Sequence, residues 1–195
     1  MEFQTDIEDF LNTDKSIKWV TPNEIDELRK GAKKSRYPLR NELIVLMLYR
    51  HGLRESELCN LRLEHLNLDE AKIFIKRSKG STSIMHNIEG DELRLIRRYL
   101  GTRKGNTSLN IPFFFVSDRG NQFSRFSIIK IIESCYKNAN LRKITPHMLR
   151  HGCGYYLANK GIEVRIIQDY LGHKNINNTV KYTRLSGKQF KGIWD

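Results

Sequence analysis

The stretch from Thr145 to Tyr182 constrains this chain more than any other. It reads T-P-H-M-L-R-H, then L-G-H, then T-V-K-Y. Thr145 is a helix cap, and Pro146 suits the first helical position, where its missing N–H costs nothing. His147 and Arg150 then share one helix face, three residues apart. A second helix over 164–171 stops at Gly172, with His173 just past it, because glycine readily adopts the turn that ends helices. Tyr182 follows nine residues after His173. One short region so gathers two imidazoles, a guanidinium and a phenol. That set is able to bind a phosphodiester and attack it without a metal.

The rest of the chain reads as mainly α with a small antiparallel sheet. Residues 1–20 read as an N-terminal arm. T-P-N-E at 21–24 is a capping box that opens a helix. Ile25, Leu28 and Ala32 give that helix an apolar stripe, and Lys30, Lys33, Lys34 and Arg36 load its end with the charge its dipole favours. Residues 39–50 are strongly apolar and read as a buried helix, broken at His51-Gly52-Leu53. The next helix starts at Arg54, with Glu57 three positions on and Leu58, Leu61 and Leu63 pointing inward. Residues 72–76 alternate as a half-buried strand does, and 82–88 return as its partner, so Lys79 sits near the tip of a hairpin. An amphipathic helix is expected over 91–100, a polar loop over 101–110 and a short strand over 113–116. Residues 124–140 form a helix with Phe126, Ile129, Ile132 and Tyr136 on one side. Residues 183–195 are a basic tail carrying Phe190, Ile193 and Trp194.

Bulk properties narrow the partner. The formal net charge of +12 favours a polyanion, most often nucleic acid. Charge alone does not separate DNA from RNA or an anionic membrane, and a basic inert surface gives the same number. The apolar run at 43–48 is too short to span a bilayer. Residues 1–10 are acidic and lack the apolar segment of a secretion signal. Cys59, Cys135 and Cys153 are odd in number without C-x-x-C spacing, and read as buried free thiols in a reducing cytoplasm.

Metal-free phosphodiester cleavage needs cations on the non-bridging oxygens, an in-line nucleophile and an acid for the leaving oxygen. Arginine suits the first task through its permanently charged fork, and tyrosine suits the second because a phosphotyrosine keeps the bond energy for rejoining. Arg54, Lys79, His147, Arg150, His173 and Tyr182 occur in that order. Their contexts are G-L-R-E-S-E-L at 52–58, S-K-G at 78–80, H-M-L-R-H at 147–151, L-G-H at 171–173 and Y-T at 182–183.

These five pieces in order resemble the tyrosine recombinase, or phage integrase, family. The resemblance runs from about Thr21 to Tyr182. It implies the family's catalytic-domain fold over 21–182, with Arg54 and Arg150 as phosphate-binding arginines. His147 and His173 match the family's two histidines, Lys79 its hairpin general acid, Tyr182 its nucleophile and Glu57 a structural acid. The compact size and closing G-I-W-D at 192–195 are similar to the short fimbrial phase-variation recombinases. Double-stranded DNA with inverted-repeat sites, a tetramer on DNA, DNA-bending accessory proteins, a cytoplasmic location at the nucleoid and no cofactor are what that likeness implies. The wider family carries a helical domain ahead of the catalytic one, whereas 20 residues precede Thr21 here. The tail over 183–195 is expected to dock into a neighbouring subunit or to fold back on its own domain.

Other readings remain open at this level. His147, His151 and His173 are possible zinc ligands. Lys76 and Arg77 compete with Lys79 for the acid's role, and His151 reads as a supporting or DNA-facing residue. A topoisomerase-like nicking and closing enzyme, and a DNA-binding regulator with an inert catalytic set, fit the same motifs.

Overall fold

The computed structural model describes residues 19–77, 81–104 and 111–183. Helix α1 (Pro22–Lys33) starts on a complete capping box: Thr21 accepts from the Glu24 N–H, and Glu24 reaches back to the Thr21 N–H. Helix α2 (Pro38–Arg50) is buried from Asn41 through Tyr49, as a helix apolar all round must be. It packs on α1, on α4 (Gly90–Lys104) and on α6 (Pro146–Asn159). Its polar residues are paired rather than stranded: Glu42 accepts from Arg29 at 3.0 Å, and Asn41 donates to Ser35 at 2.9 Å.

Helix α3 (Glu55–Cys59) leads into a three-stranded antiparallel sheet, β1 (Leu66–Asn67), β2 (Lys72–Ile75) and β3 (Ile84–Asn87), in that spatial order. Ile73 pairs with His86 and Ile75 with Ile84, which sends Ile73 and Ile75 into the core. Helix α5 (Arg125–Asn138) lies against α1, and α7 (Val164–Leu171) and α8 (Asn177–Thr183) pack on each other and on α6. The mainly helical fold with its small antiparallel sheet is therefore as expected, and all three cysteines are buried and free. Among the described residues no helix is long and apolar enough to cross a membrane.

Local assignments differ at several places. Helix α4 runs on through Gly101–Lys104, where a loop was expected. Residues 113–116 make isolated bridges, Arg62 with Phe113 and Val116 with Gln122, instead of a strand. Strand β1 is too short to carry a readable alternation. The buried stripe of α5 is Ile128, Ile132 and Cys135, while Phe126 and Ile129 are 67% and 43% exposed. A stripe at i, i+4 and i+7 fits one helix face as well as the expected one, and contact with α1 selects it. Trp19 and Val20, read as part of the arm, pack on the body: Val20 is in the core and Trp19 lies 4.2 Å from the Tyr155 ring.

Candidate active site

Three segments meet at one carboxylate. Arg54 is the N-cap of α3 in extended conformation, and Glu57, at the third helical position, accepts from its backbone N–H at 2.9 Å. The same carboxylate accepts from Arg54 Nη1 at 2.6 Å and from Arg77 Nη1 at 2.7 Å, and stands 3.9 Å from Arg150 Nη1. Burial alone would raise the Glu57 carboxyl, but the Arg77 charge, the Arg54 N–H and the Arg150 charge hold it below its ordinary value. Three guanidiniums thus share one anion, which leaves an excess of positive charge in a largely desolvated place.

The guanidiniums are fixed by helix ends. Arg150, 3% exposed, donates to the carbonyls of Gly52 and Leu171, the latter at 2.6 Å. Arg54 Nη2 donates to Gly172 O at 3.3 Å. Arg77 donates to the carbonyls of His51 and Tyr170. These carbonyls lie at or beyond the C-termini of α2 and α7, where unpaired backbone oxygens attract cations. Gly172 serves twice: it takes a left-handed φ of 63°, and a Cβ there would stand 2.9 Å from Arg77 Cδ. Burial first, and then Arg54 and Arg77, pull the Arg150 guanidinium down to about 10, so it stays charged at neutral pH.

The predicted histidines sit beside this cluster. Thr145 caps α6 by accepting from the Met148 N–H, which places His147 in the first turn. Its ring meets the His151 ring edge-on at 4.2 Å. Desolvation, then the Arg150 charge, lowers its imidazole. His173 shares a hydrogen bond between Nδ1 and Thr179 Oγ1 at 2.8 Å. Burial, with Arg150 and Arg54 next, pushes His173 down to about 3. Its ring is therefore neutral at neutral pH.

Tyr182, on α8, is 1% exposed and belongs to a small second core with Cys153, Ala158, Ile167 and Leu171. Its ring meets Tyr155 at 5.0 Å and stacks towards His173 at 6.2 Å. Its hydroxyl is 2.8 Å from His151 Nδ1. Burial pushes the phenol up, with Arg150 opposing.

Arg54, His147, Arg150, His173 and Tyr182 are therefore brought to one place. Lys79 lies outside the described residues, as does most of the tail with Phe190, Ile193 and Trp194. Of its competitors, Lys76 is exposed and Arg77 is buried against Glu57. Arg77 could have been found from the strand pattern, because it continues the inward phase of Ile73 and Ile75. The contact of His151 with Tyr182 had no local signal in the sequence. Among the described residues, no three His, Cys, Asp or Glu side chains converge as metal ligands.

Comparisons with known proteins identify the family. The model of the phage integrase family matches residues 18–189. The type 1 fimbriae regulatory protein FimB of Escherichia coli K12 is 40% identical over 182 residues, which cover 93% of this chain and 91% of that protein. The type 1 fimbriae regulatory protein FimE of the same strain is 36% identical, covering 91% of each. The crystal structure of XerA recombinase superposes with a TM-score of 0.78 at 28% identity, covering 89% of this chain and 65% of that one.

Proposed function

This chain belongs to the phage integrase family and is a tyrosine-type site-specific recombinase, and from that premise we propose that it inverts a DNA segment governing fimbrial phase variation. Arg54 and Arg150, with His147 and His173, hold the scissile phosphate. Tyr182 attacks it, forming a 3′-phosphotyrosine and releasing a 5′-oxygen that Lys79 protonates. Attack of an exchanged 5′-hydroxyl on the phosphotyrosine reverses the step, so no external energy source is needed. The partners are double-stranded DNA with inverted-repeat sites, further copies of the chain in a tetramer, and DNA-bending accessory proteins, in the cytoplasm at the nucleoid. The tail over 183–195 docks in a neighbouring subunit.

The observation that carries this reading is the charge balance at Glu57. Three guanidiniums on one buried carboxylate are costly to keep without a further anion, and Arg54 remains partly open to solvent at 32% side-chain exposure. A phosphodiester would balance that excess of positive charge, and guanidiniums bind phosphate oxygens through charge-assisted hydrogen bonds. Relatedness to two type 1 fimbriae regulatory proteins supports the choice of a fimbrial target.

The test is a supercoiled plasmid carrying inverted repeats that the protein selects from genomic fragments. Inversion in the presence of a chelator, read by restriction mapping, is the expected result. Relaxation of plasmids lacking the repeats, without inversion, favours a nicking and closing enzyme. Binding with no strand breakage favours an inert regulator.

A further inference from the structure

A phenol attacks phosphorus well only when its proton can leave, and Tyr182 is placed where that proton is held. Burial disfavours the phenolate, so the hydroxyl is protonated at neutral pH. A general base has to stand within about 2.6–3.2 Å of the oxygen whose proton it takes. His151 Nδ1 stands 2.8 Å from the Tyr182 hydroxyl.

The groups around this pair are otherwise occupied. From α6, Arg150 is engaged by Gly52 and Leu171 and is charged at neutral pH, and the Cys153 thiol is pushed up to about 12 by burial and directed at Arg50 O. Tyr155, also on α6, presents its ring to Tyr182, and His147 its ring to His151. Between α7 and α8, His173 Nδ1 is shared with Thr179. From α8, the Lys181 ammonium lies 5.3 Å from the centre of the Tyr182 ring, over its face.

We propose that His151 is a further catalytic residue, the base that takes the Tyr182 proton as the phenol oxygen bonds to phosphorus. The inference rests on the reading of Tyr182 as nucleophile. With the His151 proton on Nε2, the Nδ1 lone pair accepts the phenol hydrogen. The O–H bond breaks as the O–P bond forms, and the P–O5′ bond breaks as the leaving oxygen takes a proton from the general acid. In rejoining, the O5′–P bond forms as the 5′-hydroxyl gives its proton back to the general acid's conjugate base, the P–O bond to Tyr182 breaks, and the His151 imidazolium returns its proton to the departing phenolate. Arg150, beside both groups, favours the phenolate electrostatically.

The experiment is single-turnover cleavage of a suicide DNA substrate by the full chain, followed against pH. His151→Gln keeps a hydrogen-bonding side chain without a titrating base. The wild-type rate is expected to rise with pH and level off above the imidazole titration. The His151→Gln rate is expected to be lower by about 10²–10⁴ at neutral pH, and to keep rising with pH as hydroxide replaces the base. Should His151→Gln fold poorly, His151→Ala with added imidazole is the second arm, and restored cleavage supports the proposal. A wild-type-shaped pH profile in His151→Gln, whatever its height, overturns it, as does an absence of imidazole rescue in a folded His151→Ala. Peptide mapping of the adduct separates the two layers. An adduct on a residue other than Tyr182 defeats the nucleophile assignment, whereas an adduct on Tyr182 with an unchanged profile defeats the role of His151 alone.

Discussion

The ring of Tyr182 fills the space that a side chain at residue 154 would need. A Cβ on Gly154 would stand 2.5 Å from Tyr182 Cε2, 2.7 Å from Cζ and 2.8 Å from Cδ2. A glycine inside a helix costs about 0.5–1 kcal/mol relative to alanine, and here the missing side chain is the seat of the tyrosine. Gly154→Ala should force α8 outward. Overpacking of this kind costs about 1–3 kcal/mol, and the displaced phenol should form little covalent adduct while DNA binding persists. Thermal denaturation, a binding titration and adduct yield check this. Wild-type adduct formation by the variant would show that the seat is unnecessary.

Glu57 is the counterion of a buried guanidinium, so its removal should be costly. Glu57→Gln leaves Arg77 without its anion, and breaking such a buried pair costs about 3–5 kcal/mol. The double variant Glu57→Gln, Arg77→Met should recover part of that loss, because no uncompensated charge remains at residue 77. Urea denaturation of the two single variants and the double variant closes the cycle. Strict additivity of the two losses would contradict the pairing.

Acid should destabilise the protein before its carboxylates titrate. His86 bonds His51 between their Nδ1 atoms at 3.1 Å and stacks on Tyr170 at 3.8 Å. Burial, with the charges of His51 and Arg77, pushes His86 from 6.5 down to about 2, while His173 falls to about 3. Above pH 6.5 these rings are neutral in both folded and unfolded chains and cost nothing. Below it the unfolded chain takes up protons that the folded one refuses, so stability falls with pH. The slope approaches about 1.4 kcal/mol per pH unit for each fully buried histidine. His173, partly open to water, contributes less. Glu57, whose carboxyl is held low, adds a further loss below its unfolded value of 4.5. Denaturation midpoints measured from neutral pH downward test this, and His86→Phe should flatten the upper part of the curve. A flat wild-type curve from neutrality to pH 4.5 would contradict it.

What could be read from the sequence was what short-range chemistry decides. Thr145-Pro146 and Thr21-Pro22 announce their helices because a cap bonds a residue only three positions away. The apolar helix α2 needed no partner to be recognised as buried. Among the described residues, five of the six proposed catalytic positions lie close together, and Lys79 falls outside them. The remainder depends on tertiary packing. Phe126 and Ile129 are apolar yet exposed, because α1 covers a different face of α5. Arg77, a competitor of Lys79 for the acid's role in the sequence, is surrounded in the fold by Glu57, His51 O and Tyr170 O. His151 meets Tyr182 across 31 residues of chain, and no local pattern encodes that distance.

The proposed acid is tested through its leaving group. Lys79→Ala should slow cleavage by about 10²–10⁴ if the lysine delivers a proton to the 5′-oxygen. A substrate with sulfur at the 5′-bridging position expels a good leaving group that needs no proton, so it should restore the rate of this variant. If the sulfur substrate instead rescues Lys76→Ala and leaves Lys79→Ala slow, the acid is Lys76.

The most direct measurement is the position of the covalent bond. A nicked suicide substrate incubated with the full chain should trap DNA on the protein. Mass spectrometry should then place the nucleotide on Tyr182 through its 3′-phosphate. Tyr182→Phe, which loses only one oxygen, should bind the same DNA with unchanged affinity and form no adduct. Cleavage by Tyr182→Phe, or an adduct mapped to any other residue, would contradict the account.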